Sequence, residues 1–221
     1  MGKARSEFLA RAKAVRAFLA SLKKLETTKY SRDTYQRASA LAASRASAFI
    51  MMYNCVEYAL RECTSELRQE MVAKVSKFSD LKQHWQFDIV RVHFHDRLAQ
   101  GGSQHLAFLK DVTEFIPGKV SWKKEGASLP FAGNVDQDAL FKLVKLMEYK
   151  WRPPKASRGG QDLDLLRRTR NDLAHGNESF EAVGGRYTAD DLKERFARIQ
   201  SFTLAFIEMF ERYQAKQLYL R

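Results

Sequence analysis

Leu165-Leu166-Arg167-Arg168-Thr169-Arg170-Asn171-Asp172-Leu173-Ala174-His175-Gly176 decides the reading of this chain. The segment is amphipathic at a helical period, yet it places an arginine where that period calls for a leucine. Leu163, Leu166, Arg170 and Leu173 follow the spacing of a helix stripe that packs on a neighbour, so Arg170 projects from the middle of an apolar face. An unpaired guanidinium buried there costs several kcal/mol. The position therefore demands a carboxylate partner, a subunit interface or a pocket that takes an anion. Asn171 and His175, one turn apart, share an edge of the same helix. Gly176 suits the helix C-terminus, and no helical period is visible from Gly176 to Tyr187, so His175 falls in or just past the last turn.

Outward from this segment the chain reads as mostly helical. Phe8, Ala12, Val15, Leu19 and Leu22 give a first helix its stripe, and the Thr27-Thr28 region ends it. A longer helix starts near Ser31 and buries Phe49, Met52, Val56, Leu60, Cys63 and Leu67, continuing toward Val75 as the spine of a bundle. Phe78 to Leu98 is read as helix ended by Gly101-Gly102, and Ser103 caps a short helix through Leu106, Leu109, Val112 and Phe115. Residues 116–135 lose the period, with Val120-Ser121-Trp122 and Leu129-Pro130-Phe131 as short extended segments of a hairpin-like insertion. Helix returns from Asp136 to Tyr149, a basic linker spans Lys150 to Gly160, and the Arg170 helix begins near Gln161. Thr188-Ala189-Asp190-Asp191 opens a last helix whose stripe is Leu192, Phe196, Ile199, Phe202, Phe206, Met209 and Tyr213. The expectation is an all-α helical bundle in a single domain, 1–221, with an N-terminal helix over 1–28 and a small non-helical insertion at 116–135.

A net charge of +12 and an isoelectric point near 9.7 point to a polyanionic partner, nucleic acid above all. The plainer alternative is a set of solvated helix faces that favour Lys and Arg. No apolar run approaches the roughly 20 residues of a membrane span, and the N-terminus lacks the apolar core of a secretory signal. Cys55 and Cys63 lie within one helical pattern without a CxxC, which suits core residues of a reducing, cytoplasmic compartment. His93 and His95, at i,i+2, point to different sides of a helix, so neither a metal nor another cofactor is expected. P-loop, GxSxG, GxGxxG and HExxH patterns are absent from the sequence.

Two sets of residues carry chemistry. An imidazole moves protons near neutral pH, a guanidinium holds phosphate as negative charge builds, and an amide orients either group. His175, Arg170 and Asn171 supply these three within two turns. Taken singly, each also has a structural reading: Arg170 as an ion pair with Glu57 on the long helix, His175 as a helix-end group, Asn171 as a hydrogen-bond bridge. Arg170 and His175 stand about 140° apart around an ideal helix, and two such helices paired across a two-fold axis would bring both residues into one cleft. Trp122 with Lys123 and Lys124, and Trp151 with Arg152 and Lys155, form the second set. Each joins an aromatic face to cations, the usual means of holding unpaired bases and phosphate. A half-buried tryptophan on a basic rim reads equally well.

RNDLAH, preceded by Leu165 to Thr169 and followed by Gly176 and Phe180, resembles the Arg-x(4–6)-His motif of the HEPN superfamily, with its closest likeness among bacterial defence and toxin–antitoxin ribonucleases. Tyr53-Asn54-Cys55-Val56-Glu57 resembles the family's acidic position on an early core helix, and Gly133-Asn134-Val135-Asp136 its helix start before the motif. The likeness runs from about residue 40 to the end. It implies a HEPN-like bundle, a homodimer with a composite site, and metal-independent cleavage of RNA to a 2′,3′-cyclic phosphate. His175 would then be the acid–base group, Arg170 the phosphate contact, Asn171 its polar neighbour and Glu57 a supporting carboxylate. An antitoxin or defence-system protein is the partner it suggests. HEPN toxins silenced by nucleotidylation carry a tyrosine two residues after the motif histidine; Asn177 stands there, which argues against that control. Some HEPN domains only bind RNA or a partner protein, which is the alternative function.

Overall fold

A computed structural model describes residues 2–28, 35–98, 120–122 and 135–221. Among them the chain forms α1 (Lys3–Thr27), α2 (Tyr35–Lys74), α3 (Gln83–Leu98), α4 (Gln137–Leu146), α5 (Gln161–His175), α6 (Phe180–Gly184) and α7 (Ala189–Ala215), with short 3-10 turns at Phe78–Asp80 and Lys155–Gly160. No strand occurs among the described residues, so the architecture is an all-α bundle. Among the described residues no helix is long and apolar enough to cross a membrane.

The chain divides into two compact units. One comprises Met1–Leu60, Asn134–Leu140 and Arg152–Ile207. Its core follows the apolar stripes: Phe8, Val15, Leu19 and Leu22 from α1, Phe49, Met52 and Val56 from α2, Leu163 and Leu166 from α5, and Phe196, Phe202 and Phe206 from α7 are all buried. Each such side chain removed from water contributes about 1.5–3 kcal/mol. Helix α6 approaches α2 closely at Gly184, where a Cβ would stand 1.7 Å from the Ala42 carbonyl oxygen. The capping box reads through to structure, since Thr188 donates its N–H and hydroxyl to the Asp191 carboxylate while accepting from the Asp191 N–H.

The other unit comprises Arg61–Gly133, Phe141–Trp151 and Glu208–Arg221. Trp85, Tyr213 and Tyr219 fill its core, with the Trp85 indole N–H donating to the Tyr213 hydroxyl at 3.0 Å. The chain's end is tied in by Lys82 N–H to the Tyr219 carbonyl and by an isolated bridge between Leu81 and Leu220. Buried Asp88 accepts from Arg68 at 2.8 Å, Arg91 at 2.9 Å and the Trp122 indole at 3.1 Å, so its desolvated charge is fully engaged.

Four expectations are corrected. Phe78 to Leu98 is no single helix: a 3-10 turn and an extended Leu81 precede α3. The stretch from Gly176 to Tyr187 contains α6, capped by the Ser179 hydroxyl on the Ala182 N–H. Five residues are too few to display a helical period. Val120-Ser121-Trp122 belongs to no strand. Helix α4 stops at Leu146, short of Tyr149, where Glu148 turns to a positive φ of 53°. The short helix expected around Leu106 to Phe115, the Leu129-Pro130-Phe131 segment, Gly133-Asn134 and the side chains of His93 and His95 lie outside the described residues.

Candidate active site

Helix α5 is pinned before it reaches Arg170 and His175. In its first turn, buried Asp162 accepts from Arg195 at 2.8 Å and from Arg198 at 2.6 Å, both on α7. Burial raises the Asp162 carboxyl, but the two guanidinium groups outweigh it and hold it below the ordinary aspartate value. Two residues on, Asp164 accepts the Gln137 N–H at 3.1 Å, and Arg167 pairs with Asp136 at 3.0 Å. Asp136 also caps α4 through the Ala139 N–H at 2.8 Å. The helix before the motif thus begins where Val135-Asp136 places it. Gly160 precedes α5 with φ 96°, and a Cβ there would meet the Phe202 ring at 2.6 Å.

The far end of α5 sets His175. Gly176 adopts φ 72°, ψ 17°, and the Gly176 and Asn177 N–H groups both bond to the Asp172 carbonyl, closing the helix in a left-handed cap. Asn177 adds a side-chain bond to the Asp172 carboxylate at 3.3 Å. His175 is consequently the last helical residue, exposed, and nothing among the described residues hydrogen-bonds to its imidazole.

Arg170 lies half-buried between buried Leu166 and Leu173, as its place in the stripe requires. Its guanidinium sits 4.9 Å from the centre of the Tyr53 ring and donates to the Asn171 side-chain oxygen at 2.9 Å. Among the described residues no carboxylate pairs with it, so the ion pair with Glu57 that the sequence allows is not formed. Tyr53 is buried at 1% exposure and fixed by its hydroxyl, which accepts the Val135 N–H at 3.2 Å. Glu57 follows one turn along α2, half-buried. The structure therefore gathers Arg170, Asn171 and Tyr53, with His175 at the helix end beyond them. A cation held by a π face and an amide, without a counter-charge among the described residues, can receive an anion.

The RNA-contact set fares unevenly. Trp122 is only 7% exposed, with its indole N–H on Asp88 and the Arg68 guanidinium 5.9 Å over its ring. It packs as core rather than as a free stacking face, because a buried carboxylate claims its N–H. Lys123 and Lys124 lie outside the described residues. Trp151 is half-buried with its ring 6.0 Å from Phe141, while Arg152 and Lys155 are exposed. Two features were not read from the sequence: Tyr53 as the platform for Arg170, and Asp162 as the anchor of α5. The first had a signal in its place one turn before Glu57, and the second in the i,i+3 spacing of Arg195 and Arg198.

With this geometry in place, the sequence matches the RiboL-PSP-HEPN family over residues 6–212. The chain belongs to the RiboL-PSP-HEPN family. No curated protein and no solved structure matches it. HEPN membership makes it a nuclease or RNA-related module, and the match takes in α1, ahead of the stretch that carried the resemblance.

Proposed function

We propose that this HEPN protein is a metal-independent endoribonuclease, acting as one functional domain over 1–221. The observation that carries the reading is Arg170, a half-buried cation that lies on Tyr53 with no carboxylate partner among the described residues. A scissile phosphate supplies the missing negative charge. The RNA 2′-hydroxyl attacks the adjacent phosphorus, its proton passing to a base, while the P–O5′ bond breaks and the 5′-oxygen takes up a proton. The products are a 2′,3′-cyclic phosphate and a 5′-hydroxyl. His175 moves protons in this sequence, Arg170 stabilises charge on the non-bridging oxygens, Asn171 orients the guanidinium, and Glu57 is the supporting carboxylate.

One copy of α5 presents these groups about 140° apart, and the His175 imidazole has no orienting partner among the described residues. A homodimer pairing two α5 helices completes the site, with Arg170 from one subunit and His175 from the other facing one phosphate. Trp151, Arg152 and Lys155, with Lys123 and Lys124, contact flanking RNA; the burial of Trp122 removes it from that role. The likeness of RNDLAH to toxin and defence enzymes supports a cytoplasmic toxin–antitoxin or anti-phage setting with an antitoxin or defence protein as partner. Cys55 and Cys63, buried and outside any disulfide among the described residues, fit a reducing compartment.

The exposed His175, without a partner among the described residues, favours one second reading, a non-catalytic module that binds RNA or a partner protein. Incubating pure protein with RNA in EDTA separates the two. Cleavage that leaves cyclic phosphate ends and disappears in Arg170→Ala and His175→Ala, both folded by circular dichroism, supports the enzyme. Intact RNA, or full activity in His175→Ala, overturns it.

A further inference from the structure

The unit that contains α3 has a cleft of about 760 Å³ between α3 and the end of α4. That volume lies within the range of about 300–1,000 Å³ typical of small-ligand sites. Its apolar surface is unusual for a position facing solvent. Phe87 is 68% exposed and Leu146 53% exposed, and both line it together with buried Trp85 and Leu143.

Polar groups in the same cleft are incompletely used. The buried Nε2 of His84 has no hydrogen-bond partner among the described residues. An orphaned ring nitrogen in a buried setting is costly, and a ligand hydrogen bond would recover that cost. Burial, with Lys82 nearby, pushes the His84 imidazole down to about 4, so at neutral pH it is an uncharged ring that can donate or accept. Of the other charged groups in the lining, Asp88 is committed to Arg91 at 2.9 Å and Glu148 to Lys82 at 3.1 Å. Lys142 and Lys145 remain. They are exposed, stand one turn apart on α4, and have no partner among the described residues.

We infer that this cleft binds a nucleotide unit, with the base against Phe87 and the apolar floor, its polar edge meeting His84, and the phosphate held by Lys142 and Lys145. The combination selects that class. A purely apolar ligand would leave the two lysines and the imidazole unused, whereas inorganic phosphate would leave the exposed Phe87 and Leu146 uncovered. The site shares no residue with the α5 motif, so it stands whether or not Arg170 and His175 cut RNA.

Calorimetric titration of the full chain with a nucleoside monophosphate tests the inference, with the nucleoside alone and inorganic phosphate alone as comparisons. Saturable binding of the monophosphate is expected, tighter than either half. Lys142→Glu with Lys145→Glu should weaken it roughly tenfold or more, and Phe87→Ala should weaken it as well. Circular dichroism confirms that the variants fold. A short RNA that displaces the monophosphate marks the cleft as a substrate-strand subsite; simultaneous binding of both marks it as a site for free nucleotide. No saturable binding in the millimolar range, or affinity unaffected by the double charge reversal, overturns the assignment.

Discussion

The Arg170 guanidinium rests 4.9 Å from the ring centre of Tyr53, whose hydroxyl is in turn fixed by the Val135 backbone N–H. An aromatic side chain buried in α2 thus sets the position of the charged group on α5. The pair also explains how an arginine is tolerated in an apolar stripe: the quadrupole of the ring replaces part of the lost hydration, and Asn171 takes one of the donors.

Tyr53→Phe keeps the ring and loses one hydrogen bond to the backbone, so it should cost about 1 kcal/mol in urea unfolding and leave RNA cleavage nearly intact. Tyr53→Leu removes the face beneath the guanidinium, and cleavage should fall about tenfold or more as Arg170 loses its position. Equal activity in the two variants would show that the ring does not position Arg170.

A composite dimer site predicts complementation. Arg170→Ala and His175→Ala proteins, each inactive alone, should regain partial cleavage when mixed and allowed to exchange subunits, because one of the two sites in a heterodimer then holds both an arginine and a histidine. Mass measurement should give a dimer at micromolar concentration. A monomer, or a mixture that stays inactive although heterodimers form, removes the composite site.

The residues that a helical period can expose were legible in the sequence. Leu163, Leu166 and Leu173 are buried and Arg170 is half-buried, because a single helix fixes their relation locally. Membership of the HEPN family was also legible. Pairings between distant segments were not: neither Asp162 with Arg195 and Arg198 nor Tyr53 beneath Arg170 follows from any one element's period. Trp122 misleads for the same reason. The lysines after it suggest a surface, but Asp88, far earlier in the chain, draws its indole N–H into the interior.

Asp162→Ala should destabilise the protein by about 2–3 kcal/mol, since it removes charge-assisted bonds to two arginines that then remain close together with no shared acceptor. The loss should appear in chemical denaturation. If the variant is within error of wild type, Asp162 does not anchor α5.

Two glycines should separate space from conformation. At Gly184 an added Cβ would fall 1.7 Å from the Ala42 carbonyl oxygen, and backbone cannot move aside cheaply. Gly184→Ala should therefore cost about 3 kcal/mol or more. At Gly176 none of the described residues lies within 4 Å of an added Cβ, but φ is 72°. Gly176→Ala should cost only about 1 kcal/mol, the penalty for a left-handed residue with a side chain. The reverse order in thermal or urea melts would contradict the packing of α6 on α2.

Acid sensitivity should begin with His84. Burial is the main cause of its depressed value, Lys82 adds to it, and Glu148 and Asp88 oppose it, leaving the folded imidazole at about 4 against 6.5 ordinarily. The unfolded chain therefore binds a proton at this residue as pH falls through 6.5, whereas the folded chain stays neutral until about pH 4. Stability tied to this group is fully present above pH 6.5 and declines as pH drops toward 4. Asp162 acts in the same direction but in a lower window, because its folded value lies below the ordinary 3.8. His84→Gln cannot titrate, so between pH 6.5 and 4 it should lose less stability than wild type. Urea unfolding at several pH values measures the difference, and parallel curves for the two proteins across that window would show that His84 is not held neutral in the fold.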